Sequence, residues 1–155
     1  MKKCTKLGLW TCLFCVVILA SCSTQVKETI VLVGESENWR VEGYELELTP
    51  EKLKVGNGII INKYNRDYKT DYFSFHTHVV ISAQDEIVHS GSVSGDMVHF
   101  EEKSTGTIEG ETLLNGRGKS ISLNDISEMY MVISWRDVEK GYDKEERINL
   151  FSKAK

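Results

Sequence analysis

Three histidines raise the first chemical question in this sequence. His76 and His78 stand two residues apart in the run DYFSFHTHVVIS, residues 71–82, and His89 follows. Residues two apart on a β-strand project from one face. If Gln84-Asp85 forms a two-residue turn, Val80 pairs with His89, and His89 then lies diagonal to His78 at about 7–8 Å between Cα atoms. Three imidazoles on one face are a ligand set that zinc or copper accepts. That register aims no Asp, Glu or Cys at the same spot. Solvent-facing histidines on a half-exposed sheet are therefore the favoured reading, with a metal-binding module of His76, His78 and His89 as the alternative. His99 falls on the next strand along and does not converge with them.

Two further motifs invite chemistry and fail a spacing test. Gly116-Arg117-Gly118-Lys119-Ser120 resembles the end of a phosphate-binding P-loop, but that pattern needs glycine five residues before Gly118, and Leu113 stands there. Ser120 to Leu123 also reads as strand, so no helix N-terminus would meet a phosphate. An Asn115-Gly116 hairpin followed by a glycine-rich bend accounts for the residues. In His89-Ser90-Gly91-Ser92 hydroxyls lie near an imidazole, yet alternation puts His89 and Ser90 on opposite faces. There is no G-x-S-x-G elbow and no carboxylate placed to orient the ring, which leaves a hydrolase as a second, weaker alternative.

Polar and aromatic clusters point to recognition instead. Glu35-Ser36-Glu37-Asn38 offers oxygens but lacks the ligand count and glycine of a Ca²⁺ loop, so it reads as a polar turn that leads Trp39 into the core. Lys63 to Tyr72 (KYNRDYKTDY) carries Tyr64, Arg66, Tyr68 and Tyr72 between two apolar strands. Tyrosine with Arg and Asn is the composition of binding surfaces, because tyrosine gives large contact area at low entropy cost. These four residues are the candidate partner-binding set; the competing reading packs the tyrosines on the base of their own loop. Tyr142 joins them only if the two loops share one end of the domain. Nothing in the sequence assembles a catalytic constellation or calls for a cofactor, and the expectation is a non-catalytic protein.

The elements that position these residues repeat with period two. Phe73, Phe75, Thr77, Val79 and Ile81 form one apolar face, and Met129, Met131, Ile133, Trp135, Ile148 and Leu150 continue the pattern near the C-terminus. Trp39 and Val41 are apolar at odd positions, whereas Tyr44, Leu46 and Leu48 are apolar at even ones. One extra residue restores the face, which predicts a bulge at Glu42-Gly43. Turn signals recur at Thr49-Pro50, Asn57-Gly58, Gln84-Asp85, Gly95-Asp96, Asn115-Gly116 and Gly141, and no segment carries ten residues of helical period. The pattern predicts an all-β domain of seven to nine antiparallel strands in two packed sheets, with Trp39 and Trp135 as large core residues.

The front of the chain is of another kind. Lys2, Lys3 and Lys6 precede a charge-free run, Leu7 to Ala20, that is shorter than the roughly 18–20 residues a membrane-spanning helix needs. Residues 1–21 therefore read as an export signal. Leu19-Ala20-Ser21-Cys22 resembles the lipobox of bacterial lipoproteins, which implies cleavage before Cys22 and acyl groups attached to it. The expectation is a lipid anchor on Cys22 at the extracytoplasmic face of the cell membrane, a tether of residues 22–25, and a domain of residues 26–155. Two or more acyl chains make such an anchor stable. Without its three signal lysines the chain keeps sixteen basic against twenty-three acidic residues, about −7. That balance lacks the basic footprint of a nucleic-acid or anionic-lipid binder. No cysteine follows Cys22, so packing alone must hold the domain.

Gly34-Glu35-Ser36-Glu37-Asn38-Trp39, Leu114-Asn115-Gly116, and the ending Met131-Val132-Ile133-Ser134-Trp135 with Arg147-Ile148-Asn149-Leu150 resemble a group of small, uncharacterised lipoproteins of Bacillus-type Gram-positive bacteria. The resemblance spans most of the chain after the signal. It implies anchoring to the outer face of the cytoplasmic membrane and an immunoglobulin-like sandwich, and it implies no known activity. The hairpin Arg136 to Glu146 is longer than the short glycine turns of that group. Taken together, the sequence is expected to encode a membrane-anchored envelope lipoprotein that binds a protein or cell-wall partner.

Overall fold

A computed structural model describes residues 26–64, 68–100 and 102–153, and the side chains of all of these except residues 68 and 97–99. The expected signal, the lipobox with Cys22, and Arg66 lie outside the described residues. Ten strands follow one another: β1 (Glu28–Glu35), β2 (Trp39–Leu48), β3 (Lys52–Gly56), β4 (Ile59–Asn62), β5 (Tyr68–Ile81), β6 (Gln84–Phe100), β7 (Glu102–Ser104), β8 (Thr107–Glu111), β9 (Ile126–Asp137) and β10 (Tyr142–Ser152). The first sheet runs β7-β4-β2-β3-β8 with β1 on the other edge of β2, and the second runs β10-β9-β5-β6. All pairings are antiparallel, and the sheets pack face to face as the expected sandwich. Among the described residues no helix is long and apolar enough to cross a membrane.

There are ten strands and not seven to nine because two strands are each broken once, on a shared line. β2 pairs with β4 through Trp39–Glu42 and with β3 through Glu45–Leu48. Between the halves Gly43 takes φ +65°, and the register along β1 jumps from Leu32↔Tyr44 to Gly34↔Val41. This is the bulge expected at Glu42-Gly43. Next to it β3 breaks into β4 at Asn57-Gly58, and β7 into β8 at Thr105-Gly106. The two breaks interlock: Asn57 N–H donates to Gly106 O at 2.7 Å, Thr105 N–H to Gly58 O at 2.9 Å, and Gly58 N–H to the Thr105 hydroxyl at 3.0 Å. Gly56 and Gly106 have φ +128° and +70°, where a side chain would be strained. Three neighbouring strands thus bend together, and the first sheet is creased across its width.

The inward faces are those the alternation gave. Phe73, Phe75, Thr77, Val79 and Ile81 of β5 are buried, as are Met129, Met131, Ile133 and Trp135 of β9 and Ile148 and Leu150 of β10. Trp39 and Trp135 both lie in the core, with ring centroids 5.3 Å apart. The turn Glu35–Asn38 leads Trp39 inward as expected, and its polar groups are used internally. Ser36 Oγ donates to Glu146 of β10 at 2.5 Å, Asn38 N–H donates to the same carboxylate at 3.0 Å, and the Asn38 side-chain amide donates to its second oxygen.

Three expected turns differ. The β5–β6 turn is Ser82-Ala83, with φ 51° and 64°, and Ile81 pairs with Gln84; Gln84-Asp85 opens β6. Gly95-Asp96 lies inside β6, where residues 95–97 bulge opposite Asp71. Asn115-Gly116 begins a wider loop closed by a Leu114↔Ser120 bridge, because Asn115 Oδ1 accepts from both Arg117 N–H and Lys119 N–H. A 3₁₀ turn, Leu123–Asp125, follows in place of extended chain.

The sandwich closes along one side where β1 crosses β10. A Cβ on Gly34 would stand 2.4 Å from the Asn149 carbonyl oxygen and 2.8 Å from Ile148 Cγ2, whereas a Cβ on Gly95 would meet nothing within 4 Å. Gly34→Ala is expected to destabilise the domain by about 1–3 kcal/mol through overpacking. Gly95→Ala serves as the near-neutral control, and urea unfolding of both variants makes the comparison.

Candidate functional site

The three histidines do not share a face, which corrects the proposed ligand set. Thr77 pairs with His89 and His78 with Ile87, so Val88 is an extra residue in β6. One extra residue turns the following side chains over. His76 and His78 face outward, and His89 is buried at 6% exposure. Among the described residues no group of three or more His, Cys, Asp or Glu is arranged to hold a metal ion.

Inside, His89 Nδ1 and Tyr44 Oη are 2.9 Å apart, and the Phe75 and His89 rings stand nearly perpendicular with centroids 5.1 Å apart. Burial pushes the Tyr44 phenol well above its ordinary range. Burial also lowers the proton affinity of His89, against a smaller opposing effect of a backbone hydrogen bond with Thr105. Both groups are neutral at physiological pH. This pair ties β2 to β6 through the core.

Outside, the second sheet carries a network that the sequence reading missed. Asp85 Oδ1 is 2.9 Å from His78 Nδ1, and its Oδ2 accepts from the Tyr130 hydroxyl. The Tyr130 bond, more than His78, holds the Asp85 carboxyl below its usual range, against a contrary effect of burial. His78 stacks on Tyr130 at 4.6 Å and 8°. Arg147 lies 3.5 Å over the same ring and pairs with Glu128. Two residues away His76 Nδ1 lies 2.9 Å from Ser90 Oγ. Each histidine thus has one of the two partners that a nucleophilic triad requires, His76 a hydroxyl and His78 a carboxylate, and neither has both. As expected, His89 and Ser90 point to opposite faces.

The aromatic candidates gather at one end of the sandwich. Tyr64 is 74% exposed, and Lys63 Nζ lies 5.8 Å over its ring. Lys63 N–H donates to Asn38 O and its ammonium to Ser36 O at 2.8 Å, which docks this segment on the β1–β2 turn. The β9–β10 turn lies at the same end, since Thr70 Oγ1 donates to Arg136 O at 2.9 Å and Arg136 is 3.7 Å from Asp71. Tyr142, exposed in that hairpin with Lys144 Nζ 5.8 Å over its ring, therefore joins the group. Tyr72 does not belong to the loop: it stands on the outer face of β5 and donates to Ser74 Oγ at 3.1 Å. The backbone of Tyr68 begins β5, and its side chain, like Arg66, lies outside the described residues.

The chain matches no protein-family model, no curated protein and no solved structure.

The burial of His89 sets a pH dependence. Its ordinary value is 6.5 and the fold lowers it, so the unfolded chain takes up a proton before the folded one does. The stability contributed by neutral His89 is complete above about pH 6.5 and is lost as the pH falls below it. Urea midpoints at about pH 7.5 and about pH 5 are expected to fall in acid, and His89→Gln is expected to flatten that fall.

Proposed function

We propose that this is a non-catalytic envelope lipoprotein, held at the extracytoplasmic face of the cell membrane by acyl groups on Cys22, whose sandwich binds a protein or cell-wall partner. The reading rests on the Leu19–Cys22 lipobox and on the likeness to small lipoproteins of Bacillus-type bacteria. One observation of the fold supports it: β1 begins at the end of the sandwich opposite the aromatic group. Glu28, the first residue of β1, pairs with Leu48 beside the β2–β3 turn, whereas Glu35 pairs with Arg40 at the far end. Six residues from Cys22 to Glu28 reach at most about 20 Å, and eight residues of strand then extend about 26 Å. Tyr64 and Tyr142 are thereby presented away from the membrane, with Arg66 and Tyr68 adjacent in sequence.

Aromatic anchors at a binding surface each contribute on the order of 1–2 kcal/mol or more. A photo-crosslinking residue at position 64 is expected to give a discrete adduct in cells, lost in Tyr142→Ala. The same probe at position 111, at the opposite end, is expected to give none; equal labelling from both positions would refute the assignment of the surface. Cys22→Ala is expected to leave an unprocessed precursor that incorporates no labelled lipid, and normal processing would refute the anchor.

A further inference from the structure

At the end of the sandwich where the chain enters, the sheets do not meet fully, and a cavity of about 160 Å³ opens between them. Its floor is Leu46 and Met129, both buried, and its walls are Ile30 and Phe151, which are only partly covered. The mouth is polar. Lys153 and Asn124 stand there, the Lys153 ammonium donating to the Asn124 carbonyl. The rim is fixed: Glu28 accepts from Leu123 N–H at 2.8 Å, and Asp125 accepts from Ser122 N–H at 2.9 Å and Ser122 Oγ at 2.8 Å. An apolar hollow with a few polar groups at its mouth is the common form of a small-molecule site.

Size and charge narrow the occupant. A dry cavity near 150 Å³ lined by aliphatic and aromatic side chains takes a single benzene ring. A long acyl chain is too large. An ammonium has three donors; the Asn124 carbonyl takes one and the Asp125 carboxylate, itself held by Ser122, attracts the same charge, so the mouth takes at most one anionic group, at Lys153. We propose that this cavity binds a small monocarboxylate whose apolar part is one ring or a chain of about six carbons, with the ring against Met129 and the carboxylate at Lys153. The site is independent of the aromatic end and of the Cys22 anchor.

The test uses the full-length chain in phospholipid nanodiscs with ¹³C-methyl methionine, titrated with phenylacetate. The expected result is a saturable shift of the Met129 methyl resonance. Lys153→Ala is expected to weaken binding roughly tenfold or more, the loss of a hydrogen bond to a charged group. Phenethylamine, with the same ring and the opposite charge, is expected to produce no comparable shift, and Ile30→Trp, which fills the hollow, is expected to abolish it. No saturable shift, equal binding of the amine, or unchanged affinity in Lys153→Ala would overturn the proposal, as would contacts from lipid acyl chains to Met129 before any ligand is added. Because Lys153 is exposed and its removal should not disturb folding, that variant decides the matter even if Ile30→Trp fails to fold.

Discussion

Trp39 is where the two sheets are tied, and the rest of the architecture depends on its reaching that position. It comes from β2 of the first sheet, and its ring centroid lies 5.4 Å from Phe73, 5.1 Å from Phe100 and 5.3 Å from Trp135, all on strands of the second sheet. Tilted and edge-to-face rings at such distances add attraction beyond the area they bury. No cysteine follows position 22, so there is no covalent tie between the sheets of the described domain. The neighbouring contacts serve this one. The Glu146 carboxylate takes up the donors of the turn just ahead of Trp39, where hydrogen bonds from Ser36 and Asn38 outweigh burial and keep it ionised. Gly34 lets β10 approach closely enough for that carboxylate to arrive.

Much of this was legible in the sequence because burial leaves a period. The alternation through Phe73–Ile81 and Met129–Trp135 named both the strands and their inward faces. The parity change between Val41 and Tyr44 located a bulge to the residue, since a glycine stood where the backbone had to turn. What stayed hidden were features without a compositional mark. The Ser82-Ala83 turn places two ordinary residues at positive φ, a conformation usually flagged by Asn or Gly. Gln84-Asp85 has the stronger turn composition, yet both residues open β6, and it is from the strand that Asp85 meets His78. Val88 is an ordinary strand residue, and nothing in its chemistry shows that it is surplus to the ladder. Yet that residue alone sends His89 into the core.

The candidate surface was only half visible for the same physical reason. Tyrosines among charges in residues 63–72 marked a loop of the right composition, but Tyr72 lies beyond the loop on a strand face. Tyr142 is some seventy residues away, and only the pairing of β5 with β9 brings its hairpin alongside. The outward network of His78, Asp85, Tyr130 and Arg147 likewise draws on four strands. It rigidifies the exposed face of the second sheet through one stacked and one cation–π contact.

The direction of β1 has a mechanical meaning. Its ladder with β2 spans seven paired positions, and antiparallel hydrogen bonds stand perpendicular to the strands they join. Tension between the start of β1 and the opposite end of the domain runs along that strand. All the rungs are then loaded together, as in a lap joint under shear, and none can be opened ahead of the others as in a zipper. A pull applied at Glu28 against the far end of the domain is therefore resisted by the whole β1–β2 ladder at once.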